Sequence, residues 1–361
     1  MPPPSPRPRP RELGLTFGSL PTGEHNAITD VPGVTVGHVT IWHDEPDGIA
    51  RTGVTAIVPD EIAALWERPM AAGYAVLNGC GELTGTIAMA EWGTLEAPIM
   101  LTGTTAVGRV FDAVVDAVFE AVPRAGGDDE VVPVPVVGET DDSWLDESRR
   151  RHVTSADARE AIRAARKGPV AEGAVGAGTG MVTMECKAGI GTSSRALPRL
   201  GTVGVLVLAN FGGLDQLRLG GVAVGTTLAA ERAAAERSRA EAGSCIGVVA
   251  TDIPLDARQL TRVARRVGLG LARLGSIGGH GSGEIFCAFS TSNRRSGMAE
   301  GVAPVDVLGD GSINAVFAAT VDATEEAVTN ALFVADTVVG RDGHVAPGLP
   351  VDRVLELVHH P

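Results

Sequence analysis

Two stretches of this chain are apolar without alternation: Val203–Ala209 within GTVGVLVLANFGG, and Cys245–Ala250 within GSCIGVVATD. A strand with one face in water alternates polar and apolar residues. A strand that does not alternate must be covered on both faces. Several other strand-like runs share this property, and helical patterns separate them. The chain therefore builds sheets covered by further layers, in an α/β or α+β layered architecture. Its 361 residues suffice for one large domain or two ordinary ones. Aromatic residues are 4 % of the chain against 44 % apolar, so the core is made of Ala, Val, Leu and Ile.

Helical spacing is clearest in LDARQLTRVARRVGLGLARLG, with the face Leu260, Val263, Val267, Leu271 and Leu274. A second face is Val107, Val110, Phe111, Val114 and Val118. SADAREAIRAARKG starts at the capping residue Ser155 and stops at Gly168. AVFAATVDA (315–323) reads as a strand, followed by a helix with the face Val328, Ala331, Leu332, Ala335 and Val338. Residues 212–243 form the one clear composition break. The apolar positions of its helical part are nearly all alanine, which predicts a mobile linker, partly helical. The start, MPPPSPRPRPRE, reads as a disordered tail over residues 1–12, ahead of a single domain over 13–361.

The net charge of −14 argues against nucleic acid, which needs clustered cations. Four well-separated cysteines form no CxxC pair, and eight histidines show no ligand spacing, so neither a disulfide framework nor a metal site is expected. No cofactor is called for. The N-terminus has no apolar segment of the secretory kind, and no run has the length to cross a bilayer, so a cytoplasmic protein is expected.

Four local patterns bear on chemistry. GAVGAGTGMVTMECKAGIG fits neither phosphate-loop pattern, and close backbone approach between layers explains its glycines better. GHGSGE places Ser282 and Glu284 two apart at the start of a strand, pointing the same way, so that a hydroxyl beside a carboxylate can orient a third group; taken alone, the pattern reads as a turn with a solvated Glu. Asn210 ends a buried strand, where an amide can donate to an oxyanion or simply close a turn. Gly243-Ser244 joins an exposed segment to a buried strand. Taken alone it is a loop dipeptide. A serine at a new N-terminus, however, carries its own α-amine with a pKa near ~8, fit to act as general base. A glycine before it permits the strained backbone that a peptide-to-ester rearrangement needs.

With these patterns NAITDVPGVTVGH, NGCGELTG, GTGMVTMECKAGIGTSSR, GVLVLANFG, GSCIGVVATD, GSGEIFCAFST and ATEEAVTNAL…GRDG follow one another. In this order the chain resembles the peptidase family of L-aminopeptidase D-esterase/D-amidase and the β-peptidyl aminopeptidases, over about Leu13 to Arg353. The resemblance implies a four-layer α-β-β-α sandwich, similar to N-terminal nucleophile hydrolases but differently connected. It implies self-cleavage at Gly243–Ser244 into fragments 1–243 and 244–361, and a homo-oligomer, a tetramer of processed heterodimers. Ser244 is then the nucleophile, Ser282 and Glu284 its supporting network, and Asn210 the oxyanion donor. Glu139 in VVGET resembles the acidic residue that binds a substrate's free amine.

The implied activity is a serine aminopeptidase acting on short peptides, amino-acid amides or esters, of α- or β-amino acids, through an acyl-enzyme on Ser244. One departure stands out: Asp141 occupies a position held by tyrosine in the aminopeptidase D-esterase, and the only tyrosine here is Tyr74. Asp141 then holds a cationic substrate amine, or Asn210 and a backbone N–H suffice for the oxyanion. Two alternatives remain: an acyl transferase like the ornithine acetyltransferases, whose new N-terminus is threonine, and an uncut homologue that binds amines or peptides without catalysis.

Overall fold

A computed structural model describes residues 7–44, 48–128, 131–232, 242–295, 301–302 and 304–360. Its strands are β1 Thr35–His43, β2 Ala50–Val58, β3 Met70–Gly79, β4 Thr94–Leu95, β5 Ile99–Gly103, β6 Val136–Thr140, β7 Val182–Thr183, β8 Cys186–Lys187, β9 Ile190–Leu197, β10 Gly201–Asn210, β11 Ala242–Thr251, β12 Gly281–Arg294, β13 Val338–Val339 and β14 Val345–Ala346. Its helices are α1 Ile62–Glu67, α2 Thr86–Trp92, α3 Val107–Ala121, α4 Ser155–Arg163, α5 Val224–Arg232, α6 Ala257–Arg273, α7 Ile313–Val334 and α8 Val351–His359.

Two sheets carry the molecule. The first runs in the order β1-β2-β5-β6, the second β4-β3-β12-β11-β10-β9. In the second, β11 and β12 are parallel while β10 is antiparallel to both β9 and β11. The unalternated run in β10 now has its explanation. Leu206 and Leu208 face the first sheet, where they join Ile57, Ile99, Leu101 and Val136. Val205 and Val207 face the other way, into a core with Val263 and Val267 of α6 and Ala327 and Ala331 of α7. Neither face meets water, so neither is polar. On the far side, Val54 and Met100 of the first sheet pack against Val110 and Val114 of α3 and Ala158 of α4. The layers are thus helix, sheet, sheet, helix. Each Val or Leu buried in them contributes roughly 1.5–3 kcal/mol.

The helix over Ala257–Arg273 has the buried face expected, and its start is sealed by a capping box. Asp256 accepts from the Gln259 N–H at 2.7 Å, and Gln259 Oε1 accepts from the Asp256 N–H at 3.3 Å. The glycine-rich stretch lies where backbones touch: a Cβ at Gly191 would fall 1.9 Å from the Ala327 carbonyl oxygen.

Several expectations need correction. Residues 315–323 are not a strand; they belong to α7, one helix of 22 residues. That helix is buried on nearly every side, which erases the periodicity that would reveal it. Its threonines mimic strand composition but bond back along the helix, Thr320 to the Val316 carbonyl at 2.8 Å and Thr324 to that of Thr320 at 2.7 Å. Ala335 and Val338 lie beyond its end.

The cap of α4 is Thr154 rather than Ser155, because Thr154 accepts from the Asp157 N–H. The expected disordered tail is packed from Arg7 onward. Arg7 donates to the carbonyls of Ala335 (2.6 Å) and Leu349 (2.7 Å), and Arg9 pairs with Glu172 at 2.6 Å. The arginines that made the tail look solvated are its anchors; residues 1–6 lie outside the described residues. Of the expected linker, α5 is a defined helix that buries Val224 and Leu228, while residues 233–241 lie outside the described residues.

Candidate active site

The ends of three adjacent strands bring the sequence candidates together. Asn210, the last residue of β10, sits opposite Ser244 in β11. On the other side of β11, Ser244 is beside Gly283, with Ser282 and Glu284 flanking it. Ser244, Ser282, Glu284 and Asn210 are all buried. Gly243 is required by space: a Cβ there would fall 2.8 Å from both the Asn210 carbonyl oxygen and the Phe211 Cα. Its φ is not among the left-handed ones, so close approach is what makes it glycine.

Alternation sorts these side chains onto two faces. Ser244 and Asn210 continue the rows of Ile246 and Leu208, toward the first sheet. Ser282 and Glu284 continue the row of Phe286, toward the helices. The two sets therefore meet at the main chain of residue 244 rather than at its hydroxyl.

On the helix side, Ser282 donates a very short hydrogen bond to Glu284 Oε1. Glu284 Oε2 is buried and has no hydrogen-bond partner among the described residues. Burial pushes this carboxyl above its ordinary value, and the Ser282 hydroxyl, the main chain of Glu284 and the nearby Asn78 amide oppose the shift. Burial and the Glu284 charge together push the neighbouring Cys245 thiol well up, which leaves it a poor nucleophile.

On the sheet side, the Asn210 amide is fixed at both ends. Its Oδ1 accepts from the Val182 N–H and its Nδ2 donates to the Asp141 carbonyl, each at 3.0 Å. Asp141 thus touches Asn210 through its backbone. Its exposed carboxylate accepts from the Ser143 N–H at 2.9 Å.

Glu139, in β6, is buried near the same spot. A Cβ at Gly81 would stand 3.2 Å from Glu139 Oε1 and 3.7 Å from the Gly283 Cα. The carboxylate accepts from the Glu82 N–H at 2.9 Å and from the Thr104 hydroxyl. Burial raises its pKa, those two donors oppose the rise, and the charges of Asp141 and Glu82 add to it.

Sequence reasoning missed Thr104 and Val182. The first lies in an ordinary loop stretch, and the second acts through its backbone, which carries no residue signature. Among the described residues no group of three or more His, Cys, Asp or Glu could hold a metal ion, and no helix is long and apolar enough to cross a membrane.

Two stacked sheets between helix layers, with a serine, a carboxylate and a fixed amide at neighbouring strand ends of the larger sheet, form an architecture similar to that of the N-terminal nucleophile hydrolases. The family model for Peptidase family S58 matches residues 26–346, and the chain belongs to that family. A beta-peptidyl aminopeptidase, BapA of Sphingosinicella microcystinivorans, is 41 % identical over 94 % of this chain and 89 % of its own. The L-aminopeptidase D-Ala-esterase/amidase of Ochrobactrum anthropi superposes with a TM-score of 0.90 at 38 % identity, covering 98 % of each chain. That structure is described as a prototype for the serine aminopeptidases and a variant of the Ntn hydrolase fold. A Burkholderia sp. beta-aminopeptidase superposes with a TM-score of 0.88 at 40 % identity, again over 98 % of each chain. The chain is a peptide hydrolase, a serine aminopeptidase on an α-β-β-α sandwich.

Proposed function

We propose that the chain cuts itself at Gly243–Ser244 and then removes N-terminal residues from short peptides, amides or esters, with Ser244 as nucleophile. Support comes from one observation: Asn210 on one side of Ser244, and Ser282 with an unpartnered Glu284 oxygen on the other. In the uncut chain the nitrogen of residue 244 is an amide and cannot take a proton. Cleavage makes it an amine beside a buried carboxyl with a spare acceptor oxygen.

In the cut itself, Ser244 Oγ attacks the Gly243 carbonyl, its proton passes to the nitrogen of residue 244, the C–N bond breaks to leave that nitrogen as an amine, and water hydrolyses the resulting ester to a Gly243 carboxylate and the free Ser244 hydroxyl. In turnover, Ser244 Oγ attacks the carbonyl of the substrate's first residue and its proton passes to the α-amine. The oxyanion takes one Nδ2 proton of Asn210; the Asp141 carbonyl holds the other. The tetrahedral centre collapses, the C–N bond breaks, and the α-amine returns the proton to the leaving amine. Water then hydrolyses the acyl-enzyme and restores the hydroxyl.

Glu139 and the Asp141 carboxylate receive the substrate's ammonium group, on the same face as Ser244. Because relatives are named for β-peptides, β-amino acyl substrates belong to the range we propose. The processed pair assembles into a tetramer of heterodimers, for which Ile87 and Trp92 offer exposed apolar surface.

Mass measurement tests the reading. The native protein should give fragments 1–243 and 244–361, while Ser244→Ala should give one 37.0 kDa chain that releases no amine from aminoacyl nitroanilides. An S244A chain that is still cut and active would overturn it.

A further inference from the structure

Lys187 is fully buried, and burial alone, with no carboxylate partner among the described residues, shifts its pKa. Its Nζ instead donates to three main-chain carbonyls, those of Gly178 (2.9 Å), Met181 (2.8 Å) and Ala188 (2.6 Å). Three acceptors require three N–H donors, and only the ammonium form has three. Burial pushes its pKa down to about 7, while the three carbonyls favour the charged form. A buried ammonium held by backbone dipoles alone is costly, so its placement calls for a reason.

Met181 and Val182 share one peptide unit. Lys187 pulls on its carbonyl; the Val182 N–H at its other end donates to Asn210 Oδ1 at 3.0 Å. Strand pairing sets Lys187 directly opposite Val182, which fixes the arrangement. Hydrogen bonds in series polarise one another. A cation at the Met181 oxygen strengthens the Val182 donor, which draws electron density toward Asn210 Oδ1 and leaves the Nδ2 protons more acidic.

We infer that Lys187 is a positioning residue for catalysis: through the 181–182 peptide it aims and polarises the Asn210 amide toward the oxyanion. This rests on the oxyanion role proposed above for Asn210.

A double-mutant cycle tests both readings and tells them apart. Lys187→Met removes the charge and the donors. Lys187→Gln removes the charge but keeps two donors, and serves if K187M does not fold. Rates are taken per cleaved chain; where a variant stays whole, the rate of fragment formation is read in their place. Asn210→Ala alone should lower kcat by about 10²-fold or more. K187M and K187Q should each lower kcat by about 10-fold with KM changed less than about 2-fold. Added to N210A, either change should cost less than about 2-fold more, because the relay then has no end.

If the Lys187 variants cost the same with and without Asn210, or leave kcat unchanged, Lys187 is only structural and this inference falls while the oxyanion assignment stands. If N210A itself leaves kcat nearly intact, both fall together.

Discussion

Glu284, in β12 of the larger sheet, and Glu326, in the helix α7 that covers that sheet, are both fully buried, yet they are opposites. Both oxygens of Glu326 are engaged. Arg11 reaches both of them, Asn26 donates at 2.6 Å to one, and the buried Arg195 donates at 2.6 Å to the other. Burial alone would raise its pKa, but these contacts outweigh burial and hold it below its ordinary value. Glu284 has one hydroxyl on one oxygen and no described partner on the other, and burial raises it. Equal burial thus yields a settled anion in one place and an unsettled one in the other. What differs is whether cations already fill the site. A filled carboxylate locks the N-terminal segment to the sheet; an unfilled one has capacity for a cation that folding alone does not supply.

That contrast can be broken by converting each carboxylate to its amide. The largest effect is expected from Glu284→Gln, which should lower kcat by about 10²-fold or more while the melting temperature holds or rises. A fall in Tm without loss of turnover would reverse the comparison. Glu326→Gln should do the converse. It strands the Arg195 charge and should cost about 3 kcal/mol of stability by denaturant titration, with kcat per folded site unchanged.

The smallest effect is in pH dependence. Glu326 is depressed, so its stabilisation is complete above about pH 4.5, the ordinary value, and is lost as pH falls through the lowered one. The stability gap between native protein and E326Q should therefore close in acid. In the uncut Ser244→Ala chain, where no amine stands beside it, Glu284 is raised, so its ionisation costs stability as pH climbs from 4.5 through the higher value, and S244A with E284Q added should gain on S244A alone in that direction. Parallel pH profiles for the two variants would show that the carboxylates do not differ as described.

The sequence made parts of this arrangement legible and hid others for physical reasons. Unalternated Val and Leu in 203–209 and 245–250 announced strands covered twice, and the 3.6 spacing of Leu260, Val263 and Val267 announced α6. The residues of the candidate site were visible as separate short patterns. Their juxtaposition was not, since it depends on the register that sets Asn210 against Ser244 and Ser244 against Gly283. That Glu284 and Ser244 occupy opposite faces was equally out of reach.

The helix over 313–334 was misread because complete burial removes its polar stripe. The strand over Met70–Gly79 was missed because MAAGYAVLNG is small, glycine-bearing and unpatterned. Arg7, Arg9 and Arg11 read as a solvated tail because their partners, such as Glu172 and Glu326, lie far along the chain. Lys187 gave no signal, because a lone lysine in a glycine-rich run is ordinarily exposed.

The order of strands in the larger sheet has one more consequence. Counting from one edge, β4 and β3 precede residue 243, β12 and β11 follow it apart from the first two residues of β11, and β10 and β9 precede it again. A break between 243 and 244 would leave the shorter polypeptide inserted like a tongue between two jaws of the longer one, zipped along both seams. Neither piece could leave without unzipping a whole ladder, so the severed protein should melt as one body, and because the two pieces part on melting its midpoint should fall on dilution.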